Sequence, residues 1–229
     1  MTNKKINLSQ KSRTRGLLFL LFVGMVLFLW QLGSTGLFDE TPPLFAASAR
    51  SMHLSGDWLT PRVNGLDRFD KPPLIYWLMG LLYAIPGQEA WDPLGTWAAR
   101  FPSAFSSLLM MLLIGETLMI SPQNGDPFPR RTAVIASFAY ALSPLVLIWS
   151  RVAVSDALLC STLGISFLCQ WRRYSNLNNQ PWWSAWIVLS LAVLTKGPVA
   201  IVLMGMVLLL FGVLQADFEG LISRLKPIK

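Results

Sequence analysis

The chain has 229 residues, 53% of them hydrophobic and only 14% charged, and its 19 Lys and Arg outnumber its 12 Asp and Glu to give a net charge of +7. A soluble domain of this size carries roughly a quarter charged residues, so the apolar surplus faces lipid, in keeping with a mean hydropathy of +0.49. No basic patch interleaved with aromatics occupies a polar segment, which removes nucleic acid as a partner. Cys160 and Cys169 share one apolar run, where thiols act as small hydrophobes and say nothing about redox compartment.

A basic tail, 1–15, leads into the first apolar run, 16–33. That run is long for the core of a signal peptide, and no small-x-small cleavage site follows Trp30, so it reads as an uncleaved first span. Five further runs approach the roughly 20 helical residues needed to cross a bilayer core: 101–120, 132–150, 156–171, 182–195 and 198–214. The run 72–85 would reach only about 21 Å as a helix, so it reads as a helix lying along the membrane surface.

Loop charge supports that choice. If 72–85 does not cross, Lys4, Lys5, Lys11, Arg13, Arg15, Arg130, Arg131, Arg172, Arg173, Arg224, Lys226 and Lys229 all fall on one side, twelve of the 19 cations, as the positive-inside tendency requires. Asp39, Glu40, Asp57, Asp67, Asp70, Glu89, Asp92 and Asp156 then fall on the other side. The expected fold is all-α and polytopic, with about six transmembrane helices, interfacial helices in an outer loop at 38–100, a membrane domain over 16–214, and cytoplasmic tails at 1–15 and 215–229. The expected location is the inner (plasma) membrane, with the N-terminus cytoplasmic.

Within the outer loop, Leu44 to His53 reads as a short amphipathic helix, with Thr41 as its cap, Pro42 in the first turn and Gly56 as its stop. Turn formers fill 57–65, and Asp70, Lys71, Pro72 and Pro73 open the surface-lying helix. Further on, Lys196, Gly197 and Pro198 cannot continue one helix across 182–214, which would reach about 50 Å. A hairpin is expected there, with Lys196 at its outer tip. Trp182 and Trp183 read as interface anchors and Glu116 as a structural residue near the inner end of its span.

The segment GLFDETPPLF continuing to RFDKPPLIYW, with WAARFPSA, SRVAVSDALL and LAVLTKGPVA after it, resembles the GT-C membrane glycosyltransferases that use polyprenyl-phosphate sugars. Within them it is most similar to the bacterial branch related to protein mannosyltransferases and to the aminoarabinose transferase that modifies lipid A. The resemblance covers most of 14–214 and rests on four motifs in order.

It implies an inverting transfer of a sugar from a polyprenyl-phosphate donor to a lipid or protein acceptor at the outer membrane face. Asp39 becomes the catalytic carboxylate, with Asp156 as a second functional aspartate and Glu40 beside the substrate. Asp70 takes the place of a ligand for a divalent metal. Lys71 and Lys196 become contacts for the lipid phosphate. The chemistry agrees, because the acceptor oxygen must lose a proton to a base and the departing phosphate needs cations.

Plainer roles remain open for each residue. Asp39 and Glu40 also read as a polar stop, Asp156 and Asp70 as helix caps, and Lys71 and Lys196 as snorkelling lysines. Arg50, Arg62 and Arg100 read as lipid or carboxylate partners, and His53 as a surface residue. Thr41, Pro42 and Pro43 replace the basic residue and tyrosine that some family members place after the acidic pair, which leaves the donor sugar open. Family enzymes have about twice as many spans, so the isolated chain is expected to be inactive or to need a companion polypeptide. A non-catalytic scaffold or assembly subunit is the alternative function; a transporter is disfavoured because only Lys196-Gly197-Pro198 breaks a span and no second copy follows.

Overall fold

The computed structural model describes residues 9–121, 126–175, 177, 180–216 and 219. Lys4, Lys5, Arg224, Lys226 and Lys229 of the expected basic clusters lie outside the described residues. Helix α1 (Gln10–Gly24) opens on Ser9, whose hydroxyl accepts from the Ser12 N–H, and continues as a π-helical turn, Met25–Leu29. The carbonyls left over at its end are met by Arg151, which donates to Leu27, Trp30 and Gln31.

The outer-loop region follows: α2 (Thr41–Ser55), a hairpin of β1 (Arg62–Val63) and β2 (Leu66–Asp67), α3 (Leu74–Tyr83) and the short α4 (Gln88–Trp91). Gly56 ends α2 as expected, but Glu40 rather than Thr41 takes the cap position, and no side chain caps the helix there. The hairpin was not foreseen. Asn64 and Gly65, both at positive φ, make the two-residue loop between the pairs Arg62–Asp67 and Val63–Leu66, the turn that Asn-Gly favours.

The remaining helices are α5 (Thr96–Ile120), α6 (Pro129–Ala141), α7 (Pro144–Trp149), α8 (Ser155–Tyr174), α9 (Trp182–Lys196) and α10 (Val199–Gln215). The run 132–150 is therefore two helices, not one. Pro144 lacks the N–H a continuing helix needs, and the chain turns at Leu142 and Ser143 before it. The expected turn at Lys196-Gly197-Pro198 is present: Gly197 adopts φ 82 and ψ −154, closed to other L residues, and α10 starts one residue after Pro198.

Helix direction alternates along the chain. At one end, Glu116 near the end of α5 pairs with Arg13 of α1 and with Arg172 near the end of α8, and Gly16 packs close to Met119 and Arg130. At the opposite end, Arg100 of α5 donates to the carbonyls of Leu32, Thr35 and Gly36, and Ser103 donates to Val154 just before α8. The structural role read for Glu116 is thus borne out.

Six helical passes result, but among the described residues only two, Gln10–Leu29 and Thr96–Ile120, have the length and hydropathy of a membrane span. Leu74–Tyr83, Trp182–Lys196 and Val199–Gln215 are apolar but shorter, and α8 ends on Arg172 and Arg173. The fold is all-α apart from the hairpin.

Among the described residues burial falls into three clusters. Leu20, Phe28, Leu108 and Met111 join α1 and α5, with Ala133 and Ala141 bringing in α6. Leu159, Leu163, Leu189, Ala192, Ala200 and Met204 join α8, α9 and α10. The third cluster carries the site: Phe45, Ala49 and Met52 of α2, Ile75, Tyr76, Met79 and Tyr83 of α3, Ala98 and Ala99 of α5, then Ala153 and Leu158. Cys160 is exposed and Cys169 half-buried on α8, so the thiols line the outside of the bundle rather than fill its core.

Candidate active site

α3 decides where the motifs meet. It is ten residues long, about 15 Å of helix, and it lies on the ends of the bundle helices through the third cluster instead of joining them side by side. Trp77 Nε1 donates to the Trp58 carbonyl at 2.7 Å, and Gly80 leaves room for the Trp58 ring, which a methyl group would meet at 2.8 Å. These contacts hold the 57–67 segment over the outer side of α3.

The start of α3 lies near the hairpin between α9 and α10: a methyl group added at Gly197 would come to 4.0 Å from Pro72 Cγ. Lys71 adjoins Pro72 and Lys196 adjoins Gly197, so the acid-Lys-Pro-Pro and Lys-Gly-Pro motifs converge. Lys196 Nζ donates to Asp156 Oδ1 at 2.5 Å. Asp156 is therefore not the cap of α8: Val154 is at the cap position, and the carboxylate turns toward the tip of α9. Side-chain exposures of 31% for Lys196 and 43% for Asp156 keep the pair within reach of solvent and ligand.

Asp39 and Glu40 lie exposed on the approach to α2. Asp39 has φ 72, and its Oδ1 accepts from the Glu40 N–H at 2.8 Å, which suits a residue in this left-handed turn. Leu37, two residues earlier, packs on the third cluster, and so does Leu158, two residues after Asp156. The two aspartates thus stand at the rim of one core, although no direct contact joins them among the described residues.

Arg100 fixes that approach: it is 7% exposed, and its guanidinium gathers the backbone of 32–36 at 2.6–2.8 Å. Its partners are carbonyls, so the expectation of a lipid or carboxylate partner is corrected. Arg62 does bridge carboxylates, Asp57 and Asp67, each at 2.9 Å. Arg50 lies 5.1 Å over the Tyr83 ring, whose buried hydroxyl donates to Gly95 and whose pKa burial pushes up to about 12. His53 is half-buried in the last turn of α2.

Asp70 does not cap α3; it pairs with Arg68 at 2.8 Å. As a metal ligand it supplies one exposed carboxylate already held by a guanidinium, and the described residues gather no group of three His, Cys, Asp or Glu side chains. Lys71 is half-buried and forms no ion pair among the described residues. Arg68 and Arg100 were not singled out as site residues from the sequence, and a lone arginine in a loop or helix carries no local signal of what it will reach.

Residues 70–221 match the family described as dolichyl-phosphate-mannose-protein mannosyltransferase. The chain is 29% identical over 202 residues to an uncharacterized protein of Aquifex aeolicus, covering 88% of this chain and 38% of that protein. It is 26% identical over 219 residues to undecaprenyl phosphate-alpha-4-amino-4-deoxy-L-arabinose arabinosyl transferase 2 of Proteus mirabilis, covering 94% and 38%. The crystal structure of ArnT from Cupriavidus metallidurans bound to undecaprenyl phosphate superposes with a TM-score of 0.78 at 26% identity, over 93% of this chain and 38% of that one. The chain thus spans little more than a third of the length of these relatives. With the motifs, the bundle and these matches in agreement, the chain belongs to the dolichyl-phosphate-mannose-protein mannosyltransferase family of GT-C membrane glycosyltransferases.

Proposed function

We propose that this chain is the donor-binding and catalytic portion of an inverting glycosyltransferase that moves a sugar from a polyprenyl-phosphate carrier to a lipid or protein acceptor. The observation that carries the reading is the Lys196–Asp156 pair docked beside Pro72, which draws three motifs far apart in sequence to one end of the bundle. That a related protein binds undecaprenyl phosphate supports the choice of donor. In this reading the six passes are membrane spans, α3 rests on the outer surface of the inner membrane, and the N-terminus is cytoplasmic.

The proposed chemistry is one displacement. The acceptor oxygen forms a bond to the anomeric carbon as its proton passes to the Asp39 carboxylate. The bond from that carbon to the phosphate oxygen breaks, and the polyprenyl phosphate leaves with the electron pair. Lys71 and Lys196 steady the charge that grows on the phosphate. Asp156 holds Lys196 in place before the donor arrives, and Glu40 borders the sugar. No step is routed through a divalent cation at Asp70.

The chain spans 38% of these relatives, so the complete reaction is part of the proposal. The test is transfer of radiolabelled sugar from a synthetic undecaprenyl-phosphate sugar, in membranes of cells that express the chain in its native genetic context. Asp39→Asn and Asp156→Asn should each lower transfer at least about 100-fold, the scale of a lost general base, with insertion and protein level unchanged. Full transfer by Asp39→Asn would refute catalysis by this chain and favour a scaffold.

A further inference from the structure

The cationic side of the site extends beyond the two lysines. Tyr76, in the first turn of α3, is fully buried at 0% exposure and packs on Phe45 with ring centroids 5.4 Å apart. Its hydroxyl nevertheless has no hydrogen-bond partner among the described residues, and neither has Nε of Arg68. The two are neighbours, close enough for a weak hydrogen bond from the Arg68 guanidinium to the phenol oxygen but without good geometry: burial pushes the phenol's pKa up, and that guanidinium acts in the opposite direction. Buried donors left unmet are costly and uncommon in folded proteins.

One acceptor with several lone pairs would satisfy both groups, and the arginine fork suits a phosphate oxygen best. The charge balance agrees. Arg68 and Lys71 bear two positive charges against the single carboxylate of Asp70, which occupies only Nη2 of Arg68 at 2.8 Å. Lys71 and Pro72 link this corner to Lys196 through the approach to Gly197.

We propose that Arg68 and Tyr76 belong to the phosphate-binding site, the Tyr76 hydroxyl and the Arg68 Nε–H donating to an oxygen of a phosphate monoester held beside Lys71. The assignment rests on the donor being a polyprenyl phosphate, as argued above, and adds two binding residues to that reading. Neither residue was chosen as a site residue on sequence grounds.

The experiment uses the full chain in lipid nanodiscs, with three probes: undecaprenyl phosphate, undecaprenol and inorganic phosphate. Tyr76→Phe removes one oxygen and keeps the ring, so the core stays filled; Arg68→Lys keeps the charge and removes Nε. Each should weaken undecaprenyl phosphate about tenfold or more, the scale of a hydrogen bond to a charged group, and leave undecaprenol unchanged. If inorganic phosphate competes with the wild type and loses that ability in Tyr76→Phe, the same site takes free phosphate, which also supports the assignment. Wild-type affinity in both variants, with a lowered melting temperature, would mean that a buried water meets these donors, and would overturn the assignment while leaving the donor reading intact. A wild-type chain that does not distinguish undecaprenyl phosphate from undecaprenol would overturn the donor reading itself.

Discussion

Lys196 is paired with Asp156, and under the proposed function a phosphate would compete for the same charge. Both partners are about a third or more exposed, so the pair is worth little and yields readily to a doubly charged competitor. Asp156→Asn should therefore raise affinity for undecaprenyl phosphate a few-fold even as transfer is lost. Lys196→Met should lower affinity about tenfold or more. Equilibrium binding in nanodiscs checks both, and weakened binding in Asp156→Asn would contradict the competition.

A second prediction at this scale concerns pH. The backbone N–H groups of Leu59 and Thr60 donate to Asp57 Oδ1 at 3.1 and 3.2 Å and, with Arg62, hold the Asp57 carboxyl below its ordinary value of 3.8. The folded pKa is lower than the unfolded one, so the turn is stabilised above 3.8 and that support is lost as pH falls through the folded value. Trp58 fluorescence should report loosening of the 57–67 segment only in strong acid. Asp57→Ala should remove that acid transition and leave the segment looser at neutral pH. Asp39, Asp156, Lys71 and Lys196 could be proposed from the sequence because each lies in an ordered motif; the contacts of Arg100 could not, because its partners come from a distant segment.

Among the elements, the junction of α1, α5 and α8 depends on one carboxylate. Glu116 meets Arg13 and Arg172, and Arg172 also donates to the Thr117 hydroxyl and the Leu113 carbonyl. Removing the acid leaves a nearly buried guanidinium without its counter-charge. With side-chain exposures of 25% for Glu116 and 9% for Arg172, Glu116→Gln should cost about 2 kcal/mol, less than a fully buried pair would. Unfolding of the detergent-solubilised chain by dodecyl sulfate measures this, and an unchanged midpoint would show that the junction holds without the ion pairs.

Element type followed from the sequence wherever apolar runs were long, and α5, α8, α9 and α10 lie close to their expected places. The break before Pro144 and the hairpin at Asn64-Gly65 were missed although both signals are local. Hydrophobic run length outweighed a single proline in one case, and two-residue strands are too short to show alternation in the other.

For the whole molecule, the site requires that 72–85 rest on one end of the bundle. In a chain with Cys160 and Cys169 replaced by serine, a membrane-impermeant maleimide should label Glu89→Cys from outside in intact cells. Phe128→Cys should label only after permeabilisation. Both positions are exposed, whereas Gln88 is buried, its side chain donating to Asp92, and would give a false negative. Labelling of Phe128→Cys but not Glu89→Cys from outside would mean that 72–85 crosses, and would dissolve the proposed site, because Asp39 and Asp156 would then face different compartments.

Hydrophobic run length and four short motifs pointed, from the sequence alone, to a helical membrane chain of the GT-C kind. Those signals are local or additive along the chain, so they survive without coordinates. Only the tertiary structure decided that Lys196 holds Asp156, that Pro72 lies near Gly197, and that Tyr76 and Arg68 share a corner with unmet donors. Such pairings depend on where α3 docks, and docking is set by the summed packing of α2, α3, α5 and α8 rather than by any one segment.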